Sequence, residues 1–200
     1  MERGRLITVE GIDGAGKTTL VEALARALPH AVVVLREPGG VDLSERIRAL
    51  VKDPSLEVGA RAEALLFAAA RAQLVEQALE PRLAAGEWVL LDRFVDSSLA
   101  YQGGARGLGV DAVCDINAFA TGGLTPDRTL QLRIDDERAL RRVGGRVEAA
   151  DRLEGEPDGF LAAVAAAYDA LAEAEPARFV VIDATQPPEA VLRAALQALS

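Results

Sequence analysis

Eight residues near the N-terminus constrain the fold more than any other part of the sequence. Residues 11–18 read Gly-Ile-Asp-Gly-Ala-Gly-Lys-Thr, which fits the spacing G-x-x-x-x-G-K-[ST] at every defined position. The apolar run at 6–9 before them predicts a buried strand, and residues 19–25 after them predict a helix. A strand, a glycine-rich loop and a helix in this order indicate an α/β protein with a parallel sheet.

Residues 11–18, called the P-loop below, are expected to form a loop that binds the phosphates of a nucleoside triphosphate. The glycines let backbone N–H groups turn toward the phosphates, and the N-terminus of the following helix adds a positive dipole end. We expect Lys17 to reach the β and γ oxygens and the Thr18 hydroxyl to bind Mg²⁺. A chance glycine turn is disfavoured because both flanks fit. The residues expected to bind the triphosphate are Gly11, Ile12, Asp13, Gly14, Ala15, Gly16, Lys17, Thr18 and Thr19.

Composition excludes several other classes of protein. Two hundred residues suit one domain, and a net charge of −9 argues against a nucleic-acid partner, which would need a basic face. Cys114 and His30 are each the only residue of their type, so neither a disulfide framework nor a histidine-based metal site is expected. The sequence has no apolar run of membrane-spanning length and no signal-peptide pattern, which predicts a cytoplasmic protein without membrane contact.

Short β-rich runs alternate with long helical stretches along the whole chain, as in a parallel α/β sheet. The predicted strands are 5–10, 31–35, 88–92, 129–134 and 179–183. The predicted helices are 17–28, 43–52, 59–85, 110–121, 136–143, 157–174 and 188–199.

Two further segments follow predicted strands and should share one cleft with the P-loop. Ligands of an open α/β sheet bind beyond the carboxyl ends of its strands. The segment 36–40, Arg-Glu-Pro-Gly-Gly, follows the second strand, and Asp92 and Arg93 close the third. We expect Asp92 to steady Mg²⁺ or its water shell and Arg93 to hold a second phosphate; the alternative is a surface ion pair of little energetic worth.

Two arginine patterns complete the candidate chemistry. Residues 141–159 carry several glycines and four arginines, at 141, 142, 146 and 152. This pattern favours a lid whose arginines stabilise transition-state charge over a solvated helix end.

Phe67 and Arg71 lie four apart on a predicted helix and so share a face. They could stack on a flat base and reach its edge, although a helical Phe is more often a core residue.

Taken together, these motifs resemble the thymidylate kinase family, whose members phosphorylate dTMP with ATP. The resemblance rests on residues 9–19, 36–40, 65–73 and 92–103, and it continues through 125–127, 151–154 and 182–184. It therefore covers nearly the whole chain. It implies a single P-loop nucleoside monophosphate kinase domain over 1–200, with a five-stranded parallel sheet in the order 2-3-1-4-5, helices on both faces and a lid at about 141–159.

The resemblance also implies roles for individual side chains. Phe67 would stack on the thymine, Arg71 would bond its O4, and Ser98 and Gln102 would lie toward the base. Tyr101 would lie under the deoxyribose and leave no room for a 2′-hydroxyl.

The remaining implied roles concern the sugar, the phosphates and the adenine. Asp13 would contact the 3′-hydroxyl, and Arg36 with Arg93 would hold the dTMP phosphate. Ala184 would lie near the adenine of ATP. The family pattern further implies Mg²⁺ and a homodimer.

Family members carry an essential arginine either in the P-loop or in the lid. Gly14 occupies the loop position here, so the lid should supply it, and both Arg142 and Arg146 remain candidates, with Arg152 nearby. The expected catalytic groups are thus Lys17, Asp13, Arg93 and these lid arginines. One departure is Asp13 itself, where bacterial relatives often have the longer glutamate.

Two other functions compete with this interpretation. Another small-molecule P-loop kinase would act on a different nucleoside or nucleotide, but Arg36 and Arg93 supply the second anion site that a monophosphate acceptor needs. A GTPase-like switch would need an N-K-x-D guanine reader. The only lysines are Lys17 and Lys52, and Val51 precedes the latter, so that reader is absent.

Overall fold

A computed structural model describes residues 2–135, 138–139 and 159–200. Its centre is a five-stranded sheet whose neighbouring strands are all parallel, in the order β2-β3-β1-β4-β5. The strands are β1 Leu6–Glu10, β2 Val32–Arg36, β3 Trp88–Asp92, β4 Arg128–Arg133 and β5 Phe179–Asp183. Because β1 lies between β3 and β4, the P-loop begins at the middle of one sheet edge.

Helices connect the strands and cover the sheet. They are α1 Lys17–Ala27, α2 Asp42–Lys52, α3 Ala60–Leu74, α4 Glu80–Ala84, α5 Val95–Ser98, α6 Val110–Thr121, α7 Phe160–Ala174 and α8 Pro188–Leu199. A π-helical turn, Val75–Leu79, joins α3 to α4, and another, Leu99–Ala105, extends α5.

The sheet buries both of its faces, which explains the continuous apolar runs of its strands. On one face Ile7 and Leu90 belong to a cluster that α1, α7 and α8 complete. On the other, Leu6 and Val89 pack with the helical stretch that contains Leu74. Adjacent strand residues thus enter different clusters, as the alternation of a β-strand requires.

The structure confirms the predicted sheet order and places every strand within one residue of its predicted bounds. The predicted helices 110–121 and 188–199 are also correct. The predicted helix 59–85 is interrupted by the π-helical turn at Val75–Leu79.

One helical stretch was not predicted, the run from Val95 to Ala105. It contains serines and glycines that favour turns or loops, so local propensity conceals it. The proposed lid at 141–159, apart from Gly159, and most of the predicted helix 136–143 lie outside the described residues.

Candidate active site

A cleft of about 280 Å³ opens at the carboxyl edge of the sheet, beside the start of α1. It brings together the P-loop, the segment after β2 and the end of β3, as the sequence predicted. Its walls are Asp13, Gly14, Gly16, Lys17, Thr18, Thr19, Arg36, Glu37, Pro38, Arg48, Lys52, Phe67, Arg71, Asp92, Arg93, Ser97, Ser98, Tyr101 and Gln102. The predicted substrate residues are therefore all part of one surface.

The P-loop backbone explains its glycines. Gly14 has φ +81° and Gly16 has φ +97°, conformations that residues with a side chain rarely adopt. A Cβ at Gly14 would also lie 2.5 Å from the carbonyl oxygen of Ala139. An arginine at position 14 would thus meet both backbone strain and a steric clash.

Lys17 curls back over the loop it terminates. Its Nζ donates to the carbonyl oxygens of Gly11 and Ile12, at 3.2 and 3.0 Å, and the side chain is 7% exposed. Burial and the neighbouring Arg93 lower the pKa of Lys17 to about 8, although Asp13 opposes this shift. A bound phosphate would add counter-charge to this desolvated cation, which already pairs with Asp13 at 3.9 Å.

The Thr18 hydroxyl donates to Asp92 Oδ2 at 3.0 Å, which joins the P-loop to the end of β3. A hydroxyl and a carboxylate are oxygen donors of the kind that Mg²⁺ uses together with substrate phosphates and water. No group of three or more His, Cys, Asp or Glu residues that could hold a metal occurs among the described residues. The donor set therefore fits Mg²⁺ brought in with a nucleotide better than a resident ion held by protein alone.

Arg93, Asp13 and Tyr101 form one hydrogen-bonded cluster. Arg93 Nη2 lies 2.7 Å from Asp13 Oδ1, and the Tyr101 hydroxyl donates to Asp13 Oδ2 at 3.1 Å. The Arg93 guanidinium also lies over the Tyr101 ring, 5.1 Å from its centroid. Burial would raise the pKa of Asp13, but Arg93 and Lys17 outweigh it and hold this pKa well below its usual range.

The backbone of Arg93 is strained, with φ +71°, the only positive φ among the described non-glycine residues. Its N–H donates to the Val9 carbonyl oxygen at 3.1 Å, and the next N–H, of Phe94, donates to Glu10 Oε1 at 2.7 Å. These two bonds tie the strained corner to β1. The surrounding structure thus holds the guanidinium against the P-loop.

Glu10 is a site residue that the sequence did not single out. Besides Phe94, its carboxylate accepts from the hydroxyls of Ser97, at 2.6 Å, and Tyr168, at 2.8 Å. Complete burial and the nearby Asp96 raise the pKa of Glu10 to about 7, despite the opposing hydrogen bond from Ser97. The available signal was an acid at the end of an apolar strand, directly before the P-loop.

Arg71 is 1% exposed, and each nitrogen of its guanidinium donates at least one hydrogen bond. Nε and Nη2 lie 2.8 and 2.6 Å from Glu37 Oε2, and Nη2 also donates to the Phe94 carbonyl oxygen. Nη1 donates to Ser98 Oγ at 3.0 Å and to Asn117 Oδ1. Its contact with a base remains a prediction, which would need one of these acceptors to be exchanged.

Of the side chains that bind Arg71, Ser98 was predicted from the sequence as a site residue, whereas Glu37 and Asn117 were not singled out. Burial raises the pKa of Glu37 although Arg71 opposes it, so the pair depends on both members remaining in place. Ser98 Oγ accepts from Arg71 and has no acceptor of its own within the described chain, which leaves its proton available to the cleft. Glu37 and Asn117 lie far apart in sequence, so only the fold shows that they meet at Arg71.

Arg36 lines the cleft, but its guanidinium pairs with Glu45. Nη1 and Nη2 lie 3.0 Å from Oε1 and Oε2 of that carboxylate, and both side chains are about half exposed. An exposed pair of this kind is weak, so a phosphate could displace it at little cost. Arg48 and Lys52 of α2 bring two more cations to the cleft wall, which sequence reasoning missed.

The structure does not place every predicted position in this cleft. Arg141, Arg142, Arg146 and Arg152 lie outside the described residues. Ala184 is buried after β5 and does not line the cleft, so its contact with adenine stays a prediction. In the described ranges, no helix combines the length and apolarity needed to cross a bilayer.

Comparisons with known proteins agree with this architecture. The family model "Thymidylate kinase" matches residues 9–195. Thymidylate kinase of Latilactobacillus sakei is 47% identical over 98% of this chain and 95% of its own length. That of Deinococcus radiodurans is 48% identical over 94% and 93%. The crystal structure of thymidylate kinase from Ehrlichia chaffeensis matches with a TM-score of 0.77 and 29% identity over 99% of both chains. The chain belongs to the thymidylate kinase family.

Proposed function

We propose that this protein transfers the γ-phosphoryl group of ATP to the 5′-phosphate of dTMP and so produces dTDP. The observation that carries the proposal is one cleft in which two cations, Lys17 of the P-loop and Arg93, approach the same Asp13 oxygen, and which Phe67 also lines. The donor and acceptor phosphates could therefore approach each other, because the positive charge of these two cations would neutralise both. Family membership at 47–48% identity to named thymidylate kinases supports the same activity.

Catalysis in this cleft would be positioning and charge neutralisation, since phosphoryl transfer needs little covalent chemistry from the protein. The P-loop N–H groups and Lys17 would hold the donor phosphates. Arg93, fixed by Asp13, would hold the acceptor phosphate, and Arg36 would leave Glu45 to join it. When bound with ATP, Mg²⁺ would neutralise phosphate charge, and Thr18 and Asp92 are the residues that would hold it.

Recognition of the nucleoside would use the opposite wall of the cleft. Phe67 would stack on the base, and Ser98 and Gln102 would face its polar edge. The Tyr101 ring, held by Asp13 and Arg93, would occupy the space that a ribose 2′-hydroxyl needs. Asp13 would accept from the 3′-hydroxyl through a further lone pair, since each of its oxygens already accepts one hydrogen bond.

The missing transition-state cation would come from the lid. Gly14 leaves the P-loop without an arginine, so we assign that role to Arg146, with Arg142 and Arg152 as neighbours. Arg146→Ala should lower kcat roughly 100-fold, as loss of one preorganised donor does. Arg142→Ala should be much milder. A severe Arg142 variant beside a near-normal Arg146 variant would reverse the assignment.

The test of the activity is a coupled ADP-release assay over all ribo- and deoxynucleoside monophosphates. We expect dTMP to give the highest kcat/KM, and Lys17→Ala to abolish turnover. Equal turnover of CMP, UMP and dTMP would refute the assignment and favour another P-loop kinase.

We further propose that the protein works in the cytoplasm as a homodimer. Helices α2, α3 and α6 pack side by side and leave apolar side chains exposed, among them Leu50, Leu65 and Phe119, the last 92% exposed. Pairing of these faces would remove that apolar surface from water. Light scattering of Phe119→Asp beside the wild type tests it: a monomeric wild type would contradict the proposal.

A further inference from the structure

We propose that Glu63, together with Arg106, is a positioning residue that fixes the amide of Gln102 so that its carbonyl oxygen faces the cleft and selects bases that carry an N–H there. This inference rests on the proposed function, because it concerns how the same cleft distinguishes pyrimidines. Nothing in the sequence motifs marks Glu63, which lies in the first turn of α3.

The orientation of the Gln102 amide follows from the one hydrogen-bond partner that its side chain has among the described residues. Nε2 donates to Glu63 Oε1 at 3.0 Å, and an ionised carboxylate can only accept. The NH₂ end of the amide must therefore face Glu63. The carbonyl oxygen receives no donor from any described residue, and Gln102 is 3% exposed and lines the cleft. It is the acceptor that this side chain offers to a ligand.

Glu63 is itself held in place. It is 1% exposed, and Arg106 clamps both of its oxygens: Nε lies 3.1 Å from Oε1, and Nη2 lies 3.2 Å from Oε2. The Arg106 guanidinium in turn lies 4.9 Å from the Phe160 ring centroid. The two hydrogen bonds from a guanidinium fix the position of this carboxylate, so it can enforce one orientation of the neighbouring amide.

The consequence is a donor–acceptor pattern on the cleft wall. Ser98 offers a hydroxyl proton because its oxygen already accepts from Arg71, and Gln102 offers an acceptor. Thymine and uracil present a carbonyl O4 beside an N3–H, which match this pair. Cytosine presents an amino group beside an unprotonated N3, so both contacts would be mismatched, and a buried group left unpaired discriminates strongly.

The experiment compares kcat/KM for dTMP, dUMP and dCMP in the wild type and in Glu63→Gln. A neutral amide at 63 can accept or donate, so Gln102 is no longer fixed, and the dTMP preference over dCMP should fall roughly tenfold. The dTMP preference over dUMP and the KM for ATP should stay the same, because neither depends on N3. Glu76→Gln, an exposed position further along the same helical stretch, is the matched control and should behave as the wild type.

A second variant covers the case in which loss of the Glu63 charge beside Arg106 disturbs the fold. Glu63→Gln with Arg106→Met removes both charges and keeps the apolar stem against Phe160. It should show the same loss of selectivity. An unchanged dTMP-to-dCMP ratio, or an equal loss of activity on all three substrates, would overturn the inference. A wild type without preference for dTMP over dCMP would overturn the proposed function and this inference with it.

Discussion

Replacing Glu10 by glutamine tests how much of the stability of the site depends on one buried proton. The Glu10 side chain is inaccessible to solvent and accepts hydrogen bonds from Phe94 N–H and from the hydroxyls of Ser97 and Tyr168. Burial and Asp96 raise its pKa to about 7 from the ordinary value of 4.5. Between these values the folded protein keeps a proton that the unfolded chain has lost.

The direction of the pH effect follows from proton linkage. A raised pKa in the folded state stabilises the protein fully below pH 4.5, and this contribution disappears as the pH rises to about 7. At roughly 1.4 kcal/mol per pH unit, the interval corresponds to about 3 kcal/mol. Glutamine cannot titrate, and its amide can both accept from Phe94 and donate to the hydroxyls.

The assay is chemical unfolding of wild type and Glu10→Gln at several pH values from 4 to 8. The stability of the wild type relative to the variant should decrease by about 3 kcal/mol across this range, because only the wild type loses the buried proton. Glu22→Gln, an exposed position on α1, is the matched control. A difference between wild type and Glu10→Gln that stays constant from pH 4 to pH 8 would refute the reasoning, because Glu10 would then titrate alike in the folded and unfolded states.

Three further substitutions probe the cleft. Gly14→Ala should cost about 1–3 kcal/mol and raise the KM for ATP, because φ is +81° and the Cβ would meet the Ala139 carbonyl; an unchanged melting temperature would contradict this. Arg71→Ala leaves the Glu37 carboxyl buried without its cation, so about 3–5 kcal/mol of stability and much of the dTMP affinity should be lost, with the KM for ATP unchanged. Normal dTMP kinetics in that variant would show that the role of Arg71 is purely structural. Lys17→Ala should lower kcat far more than tenfold with little change in melting temperature, since the hydrogen bonds of its Nζ go only to loop carbonyls. A variant that keeps a tenth or more of the wild-type kcat would contradict this role of Lys17.

The sheet was predictable from the sequence because its signals are local. Each strand is a short run of β-branched and apolar residues that must be buried on both faces, and the P-loop marks where β1 ends. The topology then places the ends of β1, β2 and β3 together. The sequence alone was therefore enough to predict that one cleft contains Lys17, Thr18, Asp92 and Arg93.

The partners of those residues could not be predicted, because they depend on contacts between distant segments. Nothing near Arg71 in the sequence indicates that Glu37 and Asn117 would surround its guanidinium. The pairing of Arg36 with Glu45 and the π-helical turn around Gly103 are likewise results of packing rather than of local propensity. These contacts determine which hydrogen-bond donors of the cleft remain available to a substrate.

The left-handed backbone at Arg93 affects which substitutions position 93 would accept under selection. Successive residues of a regular strand point to opposite faces, yet Asp92 bonds Thr18 and Arg93 bonds Asp13, both on the P-loop. The positive φ allows this at a cost of roughly 1–2 kcal/mol. Selection for thermal stability alone would favour glycine or asparagine at position 93, and it would remove the cation to which we assign the acceptor phosphate. Heat tolerance and turnover are therefore opposed at this single residue.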